Sequence, residues 1–210
     1  MRAVLLIFLF LFNELDAESV TQKKKKFYAL VVPAVEKVYA QKYKTYEEIR
    51  QALENSKKKE KVEDLKKYYR VTSDQELLMA LKPQPKSIAI AQAAMESGWG
   101  TSRFFQRANN LFGMWSISKK EKRIAAMGKR DNNRTIWIKK YDSIEDSIKG
   151  YYLTLSRGKQ YEKMRRLNYK SDDVYEIIKG LEKYSERGKL YVDDIAGIIR
   201  YNKLTQYDER

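Results

Sequence analysis

The position of Glu96 in the sequence suits its carboxyl group to acid–base chemistry. Glu96 follows residues 88–95 (IAIAQAAM), and a helix over this apolar run would bring its carboxyl to the core or its rim. Burial disfavours the charged form, and so does the negative end of a helix dipole, so both should raise the pKa of Glu96. A raised pKa suits a general acid that works near neutral pH. The alternative is a partly exposed Glu96 paired with one of the many lysines.

The composition limits which other chemistry is available. The 210-residue chain has no histidine and no cysteine, which excludes Ser-His-Asp catalysis, thiolate nucleophiles, disulfides and metal sites with imidazole or thiolate ligands. Carboxylate, lysine, tyrosine and hydroxyl chemistry remains. Acid catalysis by a carboxylate needs no further group, and the sequence shows no good ligand cluster. We therefore predict no cofactor and no metal.

The charge balance indicates which partners the protein attracts. Lys and Arg total 43 against 28 Asp and Glu, a formal charge of +15, which favours polyanions such as nucleic acid, anionic lipid or cell-wall polymer. A solvated lysine-rich surface is the simpler alternative. Nucleic acid is not the predicted partner, because the chain begins like an exported protein and shows no nucleic-acid-binding motif.

The N-terminus has the layout of a secretory signal peptide. Arg2 precedes an apolar run at 3–12 (AVLLIFLFLF), and a polar stretch ends at Ala17. The run is shorter than the ~20 residues that a spanning helix needs. We predict a signal peptide at 1–17, cleavage after Ala17 and no stable membrane span afterwards. An uncleaved anchor or a buried core helix stays open.

Apolar spacing elsewhere predicts a mainly α fold with one hairpin. Residues 27–43 predict a helix broken or kinked near Pro33, and residues 46–69 predict two helices with a turn at 57–59. A short strand at 136–138 pairs with 124–127 across a turn at 128–133. We divide the chain into a helical extension at 18–82 and a main domain at 83–205.

Four residues are predicted to cap helix starts. Asp74 would cap a short helix through Leu81, and Ser87 would cap the apolar helix that precedes Glu96. Ser143, with Asp146 three residues on, would cap a helix over 144–155. Ser171 would cap a helix further along the chain. A last helix is expected over 190–201.

Four sequence blocks resemble the core of bacterial β-N-acetylglucosaminidases, glycoside hydrolase family 73. They are AQAAMESGWGTSRF at 91–104, NNLFGMW at 109–115, YDSIEDS at 141–147 and YSERG at 184–188, and the likeness also includes a helix that carries Tyr151 and Leu155 and the pair Tyr191 and Val192. The resemblance covers roughly residues 27–205, and its first two blocks are highly specific. It implies a lysozyme-like, mainly α-helical domain with a β-hairpin beside a long substrate groove.

The resemblance also implies roles for single residues. Glu96 matches the family's catalytic acid, which protonates the glycosidic oxygen. Trp99, Asn110 and Phe112 match positions around the acid and the groove, and Tyr184 matches a tyrosine near the active centre. Each has a structural alternative: Phe112 as core, Trp99 packed over the helix end and Asn110 as a helix cap. The segment after Tyr184 is one residue longer than the family pattern.

The sequence identifies the second catalytic group less clearly than it identifies Glu96. Glycosidases with two carboxylates hold them about 5–5.5 Å apart to retain configuration and about 6.5–9.5 Å apart to invert it. Between Phe112 and Tyr141 the chain offers Glu121 and Asp131, and Asp131 lies in a turn-forming Asp-Asn-Asn sequence. We take Glu121 as the candidate, with an ordinary surface residue as its alternative. A substrate-assisted mechanism would need no second carboxylate as nucleophile.

The sequence thus predicts a monomeric peptidoglycan hydrolase in the periplasm or cell envelope. It would cleave the β-1,4 bond after N-acetylglucosamine, with peptidoglycan glycan strands as its partner. A lytic transglycosylase is also lysozyme-like and also built around one glutamate, so it stays open. So does a wall-binding protein with weak or lost activity.

Overall fold

The computed structural model describes residues 19–55, 59–129 and 135–209. It consists of α-helices and one two-stranded antiparallel hairpin, so the prediction of a mainly α fold with one hairpin is confirmed. The predicted signal peptide and Asp131 lie outside the described residues. The elements are α1 (Val20–Glu54), α2 (Lys59–Tyr69), α3 (Asp74–Leu81), α4 (Lys86–Ser97), α5 (Arg103–Ala108), β1 (Arg123–Lys129), β2 (Thr135–Lys139), α6 (Ile144–Arg157), α7 (Glu162–Lys170), α8 (Val174–Ile177) and α9 (Lys189–Tyr201), with 3₁₀ segments at Lys159–Tyr161, Ile178–Tyr184 and Leu204–Tyr207.

Helix α4 runs through the middle of the core. All its residues from 87 to 94 are buried, and it packs against α1, α9 and the last 3₁₀ segment. Gly98 ends the helix in the left-handed conformation, with φ +57°, and its N–H donates to the carbonyls of Ala94 and Met95. Glu96 therefore lies in the last turn of a helix whose preceding turns are buried from solvent.

The start of α4 differs from the prediction. Ser87 does not cap it: the helix begins at Lys86 after Pro85, and no side chain of the flanking residue caps it. The Ser87 N–H instead donates to Asp208 Oδ1, at 2.9 Å, from the far end of the chain. A cap supplied across 121 residues leaves no local sequence signal.

Helix α1 is continuous, so the predicted break near Pro33 is wrong. Proline removes one backbone donor, which costs most where the freed carbonyl is buried. Pro33 lies on the exposed face, while Val31, Ala34 and Val35 on the other face are buried in the main core. Burial of that face holds the helix together across the proline.

The C-terminal part of α1 builds a second, smaller core with α2 and α3. Its fully buried centre includes Ile49 of α1 and Leu77 of α3. The N-terminal part of α1 belongs to the main core around α4. The predicted division of the chain at residues 82 and 83 stays a prediction.

Helices α3, α6 and α8 begin at local side-chain caps, although two of these caps differ from those predicted. Ser143 caps α6 as predicted, since its side chain accepts from the N–H of Asp146. Ser73, rather than Asp74, caps α3 in a reciprocal capping box. Asp173, rather than Ser171, caps α8.

The hairpin joins the helical body through the loop that follows α5. The two predicted strands do pair, and in their register Ile124 lies opposite Ile138 and Ala125 opposite Trp137. Trp115 bridges to Ile138, and the Ser116 N–H donates to the Trp137 carbonyl at 2.8 Å. Strand β2 therefore lies between β1 and the loop at 114–116. None of the helices in the described ranges has the length and apolar character needed to cross a bilayer.

Candidate active site

Glu96 lies half-buried at the end of α4. Burial raises the pKa of its carboxyl above the usual range, and a hydrogen bond from Tyr191 lowers it in part. Tyr191 of α9 donates from its hydroxyl to Glu96 Oε1 at 3.0 Å. A Cβ built at Gly113 would come within 3.9 Å of Glu96 Oε2, so the backbone of the loop after α5 passes close to the second oxygen.

A chain of buried hydrogen bonds leads to Glu96 from the core. The Tyr151 hydroxyl donates to Gln92 Oε1, and Gln92 Nε2 donates to the Tyr191 hydroxyl oxygen at 2.7 Å. Gln92 and Tyr151 are fully buried, and Tyr191 is 1% exposed. Four side chains from α4, α6 and α9 thus form one network that ends on the carboxyl.

The direction of this network decides which carboxyl oxygen can carry a proton. Because Gln92 donates to the Tyr191 oxygen, the hydrogen of Tyr191 is directed to Glu96 Oε1. Oε1 is then an acceptor, and the proton of the neutral acid belongs on Oε2. Glu96 can therefore present a proton from Oε2 while Tyr191 holds Oε1 in place.

Stacked aromatic rings support the network from behind. Tyr184 stacks on Tyr191, with ring centroids 5.4 Å apart, and its hydroxyl donates to the Phe112 carbonyl at 3.3 Å. Phe112 is 2% exposed and stacks on Tyr151 at 3.9 Å. Tyr184 thus packs against Tyr191, and Phe112 packs against Tyr151. Both contacts support the network that leads to Glu96, and Phe112 is a core residue.

Trp99 follows Glu96 closely in sequence, but its ring faces α1. It makes edge contacts with Phe27 at 5.4 Å and Tyr28 at 5.7 Å, and Lys24 Nζ lies 4.4 Å above the ring. Its backbone is left-handed, with φ +57°, and its N–H donates to the Ala94 carbonyl at 2.8 Å. These contacts correspond to the alternative in which Trp99 packs over the helix end.

Asn110 joins the loop after α5 to the hairpin. It is 1% exposed. Its Nδ2 donates to the carbonyls of Met114 and Lys139 at 2.9 and 2.8 Å, and its Oδ1 accepts from the Met114 N–H at 2.9 Å. Both amide hydrogens are therefore used within the protein, where they join the loop to β2.

Glu121 lies at the base of the hairpin, where its carboxylate is paired. Oε1 lies 3.0 Å from Lys139 Nζ, and Oε2 accepts from Ser116 Oγ at 2.9 Å. Desolvation opposes ionisation, but the bonds from Lys139 and Ser116 outweigh it and lower the pKa of Glu121. None of the contacts found among the described residues joins Glu121 to Glu96.

Gln92 and Tyr191 are the residues that sequence reasoning missed. Gln92 is the single polar side chain inside the apolar run at 88–95, and that anomaly could have marked it. Tyr191 follows the YSERG block and belongs to the region of family resemblance, but the sequence assigned no role to it.

Comparison with solved structures places the fold. The catalytic domain of the autolysin Auto from Listeria monocytogenes superposes with a TM-score of 0.55, over 92% of each chain at 19% identity. At that identity the likeness shows the fold alone. It agrees with the lysozyme-like, mainly α class expected from the sequence.

Comparison of sequences identifies the family. The family described as mannosyl-glycoprotein endo-beta-N-acetylglucosaminidase matches residues 74–204. Protein bax from Escherichia coli (strain K12) is 30% identical over 128 residues, 57% of this chain and 43% of the relative. Exo-glucosaminidase LytG from Bacillus subtilis (strain 168) is 31% identical over 134 residues, 59% of this chain and 46% of the relative.

The family match covers more than half of the chain. The protein therefore belongs to the glucosaminidase family, glycoside hydrolase family 73, and the predicted membership is confirmed. The matched regions span less than half the length of the two curated relatives.

Proposed function

We propose that the protein is a peptidoglycan hydrolase that cleaves the β-1,4 bond after N-acetylglucosamine, with Glu96 as general acid. The observation that carries this proposal is the half-buried Glu96 carboxyl, whose pKa is raised and whose Oε1 is held by Tyr191. Family membership and a relative named as an exo-glucosaminidase support the reaction class.

Each part of the network has a task in the proposed reaction. Glu96 Oε2 gives its proton to the glycosidic oxygen as the bond to the leaving sugar breaks, and the carboxyl becomes a carboxylate. The Tyr191 hydroxyl already donates to Oε1 and stabilises the negative charge as it forms, because a hydrogen bond to a charged oxygen is stronger than one to a neutral oxygen. Gln92 and Tyr151 are positioning residues that keep Tyr191 oriented.

Glu121 is our candidate for the second carboxylate. Its lowered pKa keeps it ionised at neutral pH, as a base or nucleophile requires. Its ion pair with Lys139 fixes it at the base of the hairpin. For Trp99 and Asn110 we propose a supporting role, the first anchoring the end of α4 on α1 and the second fixing the loop beside Glu96.

The substrate places the proposed activity in the cell envelope. Glycan strands that carry peptide carboxylates are anionic, and a chain with a formal charge of +15 is attracted to them. Exposed charges are screened within about 8–10 Å at physiological salt, so this attraction should weaken as salt rises. We propose that the protein acts there as a monomer.

A zymogram with three proteins tests the assignment of Glu96. Wild type and Glu36→Gln should clear a peptidoglycan gel, whereas Glu96→Gln should not, with at least about a hundredfold loss of rate for a missing general acid. Glu36 is an exposed residue of α1 and serves as the matched control. Equal clearing by Glu96→Gln would overturn its role as the acid.

Product analysis then separates the enzyme classes. Mass spectrometry of digested wall should find reducing N-acetylglucosamine ends, whereas anhydro-muramyl ends would indicate a lytic transglycosylase. Binding of wild type to the wall without any cleavage would indicate a wall-binding protein. If Glu121 is the second group, Glu121→Gln should lose activity to a similar degree, whereas retained activity would favour a substrate-assisted mechanism.

A further inference from the structure

A large cavity lies apart from the Glu96 network. It has a volume of about 770 Å³, within the range of small-molecule pockets. One wall is the turn between α2 and α3, and the other is the end of α6 with the start of α7. None of Glu96, Gln92, Tyr151 and Tyr191 lines it.

The lining of this cavity is strongly cationic. It contains five basic side chains and two carboxylates, together with an apolar part that includes Tyr69, Val71 and Met79. The basic side chains are Arg70, Arg157, Lys159, Arg165 and Arg166, and the carboxylates are Glu76 and Glu162. The formal charge of the lining is therefore +3.

Two of these charged groups already have structural tasks. Arg165 Nη1 donates to the carbonyls of Leu155 and Gly158, at 2.8 and 2.7 Å, which satisfies the end of α6. Glu76 Oε2 accepts from the Thr72 and Ser73 N–H groups at the start of α3, and these bonds lower its pKa to about 2. Glu76 is thus ionised, with Oε2 committed to the backbone.

The other four cations have no such task. Among the residues that the structure describes, the side chains of Arg70, Arg157, Lys159 and Arg166 form no ion pair and no hydrogen bond. Arg157 stacks over the Tyr68 ring at 4.9 Å, and its Nε is buried without an acceptor. That Nε is closed to solvent, so the feature that favours an anionic ligand is the set of four basic side chains without an ion pair or hydrogen bond in the described part of the chain, and not this nitrogen.

We propose that this cavity binds a phosphate group of a small phosphorylated ligand through the four basic side chains that form no ion pair or hydrogen bond within the described residues. Guanidinium groups suit oxyanions because several N–H groups point the same way. Basic side chains line both walls of the cavity, Arg70 on one and Arg157 with Arg166 on the other. A surplus of three positive charges is matched more fully by a phosphate dianion than by a single carboxylate.

The test is binding of inorganic phosphate and glycerol phosphate to the whole protein, measured by calorimetry at low and physiological salt. Arg157→Gln/Arg166→Gln removes two charges from the cavity. Lys25→Gln/Lys44→Gln removes two charges from exposed positions on α1 and is the matched control. Acetate serves as the carboxylate probe, and circular dichroism melts check that both variants fold.

We expect saturable binding of both phosphate probes at one site. The Kd should rise at least tenfold in Arg157→Gln/Arg166→Gln and change less than twofold in Lys25→Gln/Lys44→Gln. If the physiological ligand is free phosphate, the two probes should bind with equal affinity. If it is a phosphoester, glycerol phosphate should bind more tightly than inorganic phosphate.

Three results would overturn the proposal: no saturable binding, equal weakening in both variants, or acetate binding as tightly as phosphate. If Arg157→Gln/Arg166→Gln unfolds, Arg70→Gln on the opposite wall must still weaken binding at least threefold. Glu96→Gln should bind phosphate like wild type, so this proposal can fail or hold independently of the proposed hydrolase activity.

Discussion

The hydrogen bond from Tyr191 to Glu96 can be removed by deleting one oxygen atom, that of the Tyr191 hydroxyl. Tyr191→Phe keeps the ring that stacks on Tyr184 and deletes the hydroxyl that donates to Glu96 Oε1. A hydrogen bond to a charged group contributes about 1.5–3 kcal/mol, and one pKa unit corresponds to about 1.4 kcal/mol. Because Glu96 is only half-buried, water replaces part of the lost bond, so we expect its pKa to rise by about one unit.

The sign of this shift determines the effect on activity. Tyr191 stabilises the carboxylate, so its removal disfavours ionisation and raises the pKa of Glu96 further. A general acid must be protonated, and activity is lost as pH rises through its pKa. The alkaline limb of the profile of kcat/KM against pH should therefore move up by about one unit in Tyr191→Phe, while the maximal rate falls because the nascent carboxylate is less stabilised.

The same substitution should lower stability. Gln92 Nε2 loses its acceptor inside the core, at a cost of about 1–3 kcal/mol. For a chain of this size that corresponds to a fall in Tm of roughly 2–4 °C per kcal/mol. The matched control is Tyr152→Phe, since Tyr152 is equally buried and donates to the Gln84 carbonyl, at 3.4 Å.

Two measurements check the reasoning. The first is kcat/KM on soluble glycan fragments from pH 4 to 9, and the second is NMR titration of the Glu96 side-chain carbon, which does not depend on turnover. Tyrosines 151, 161, 184 and 191 surround Glu96 and have raised pKa values, so they stay neutral across this range. An unchanged or lowered pKa in Tyr191→Phe, or an equal shift in Tyr152→Phe, would refute the assignment.

Other substitutions test burial and packing. Glu96→Gln should be more stable than wild type at pH 8, because a carboxyl with a raised folded pKa destabilises the fold once it ionises. The difference should disappear below pH ~4, and thermal melts across pH check this. Gly180→Ala should cost about 3 kcal/mol or more, since its Cβ would lie 2.2 Å from the Met164 Cα. Gly197→Ala, with open space around its Cβ, should instead stabilise α9 by about 0.5–1 kcal/mol, and denaturant unfolding compares the two. Asn110→Asp keeps one acceptor but loses both donated bonds, so it should cost about 2 kcal/mol in the same assay, and an unchanged midpoint would contradict its bridging role.

Local patterns were sufficient for much of the fold. The cap at Ser143, the pairing of the strands near 124–127 and 136–138 and the apolar helix before Glu96 each depend on local sequence patterns, and the structure confirms them. The break expected at Pro33 was wrong because tertiary burial of one face of α1 outweighs a local helix-breaking preference.

Contacts between distant elements were beyond the reach of such patterns. Asp208 caps α4 from 121 residues away, and Asn110 joins its loop to β2 across 29 residues. In the same way, Trp99 is adjacent to the acid in sequence, yet its ring contacts Phe27 and Tyr28 of α1.

The sequence by itself determined that a carboxyl follows an apolar helix, and it left open whether that carboxyl is buried or is exposed and paired with a lysine. Only the tertiary structure decided that the carboxyl is half-buried with a raised pKa, and which of its oxygens accepts a hydrogen bond from the protein. That choice depends on a tyrosine of α9 and a glutamine of α4 whose side chains meet in the folded core. Hydrogen bonds are directional and act over about 3 Å, so they exist only once packing has placed both partners.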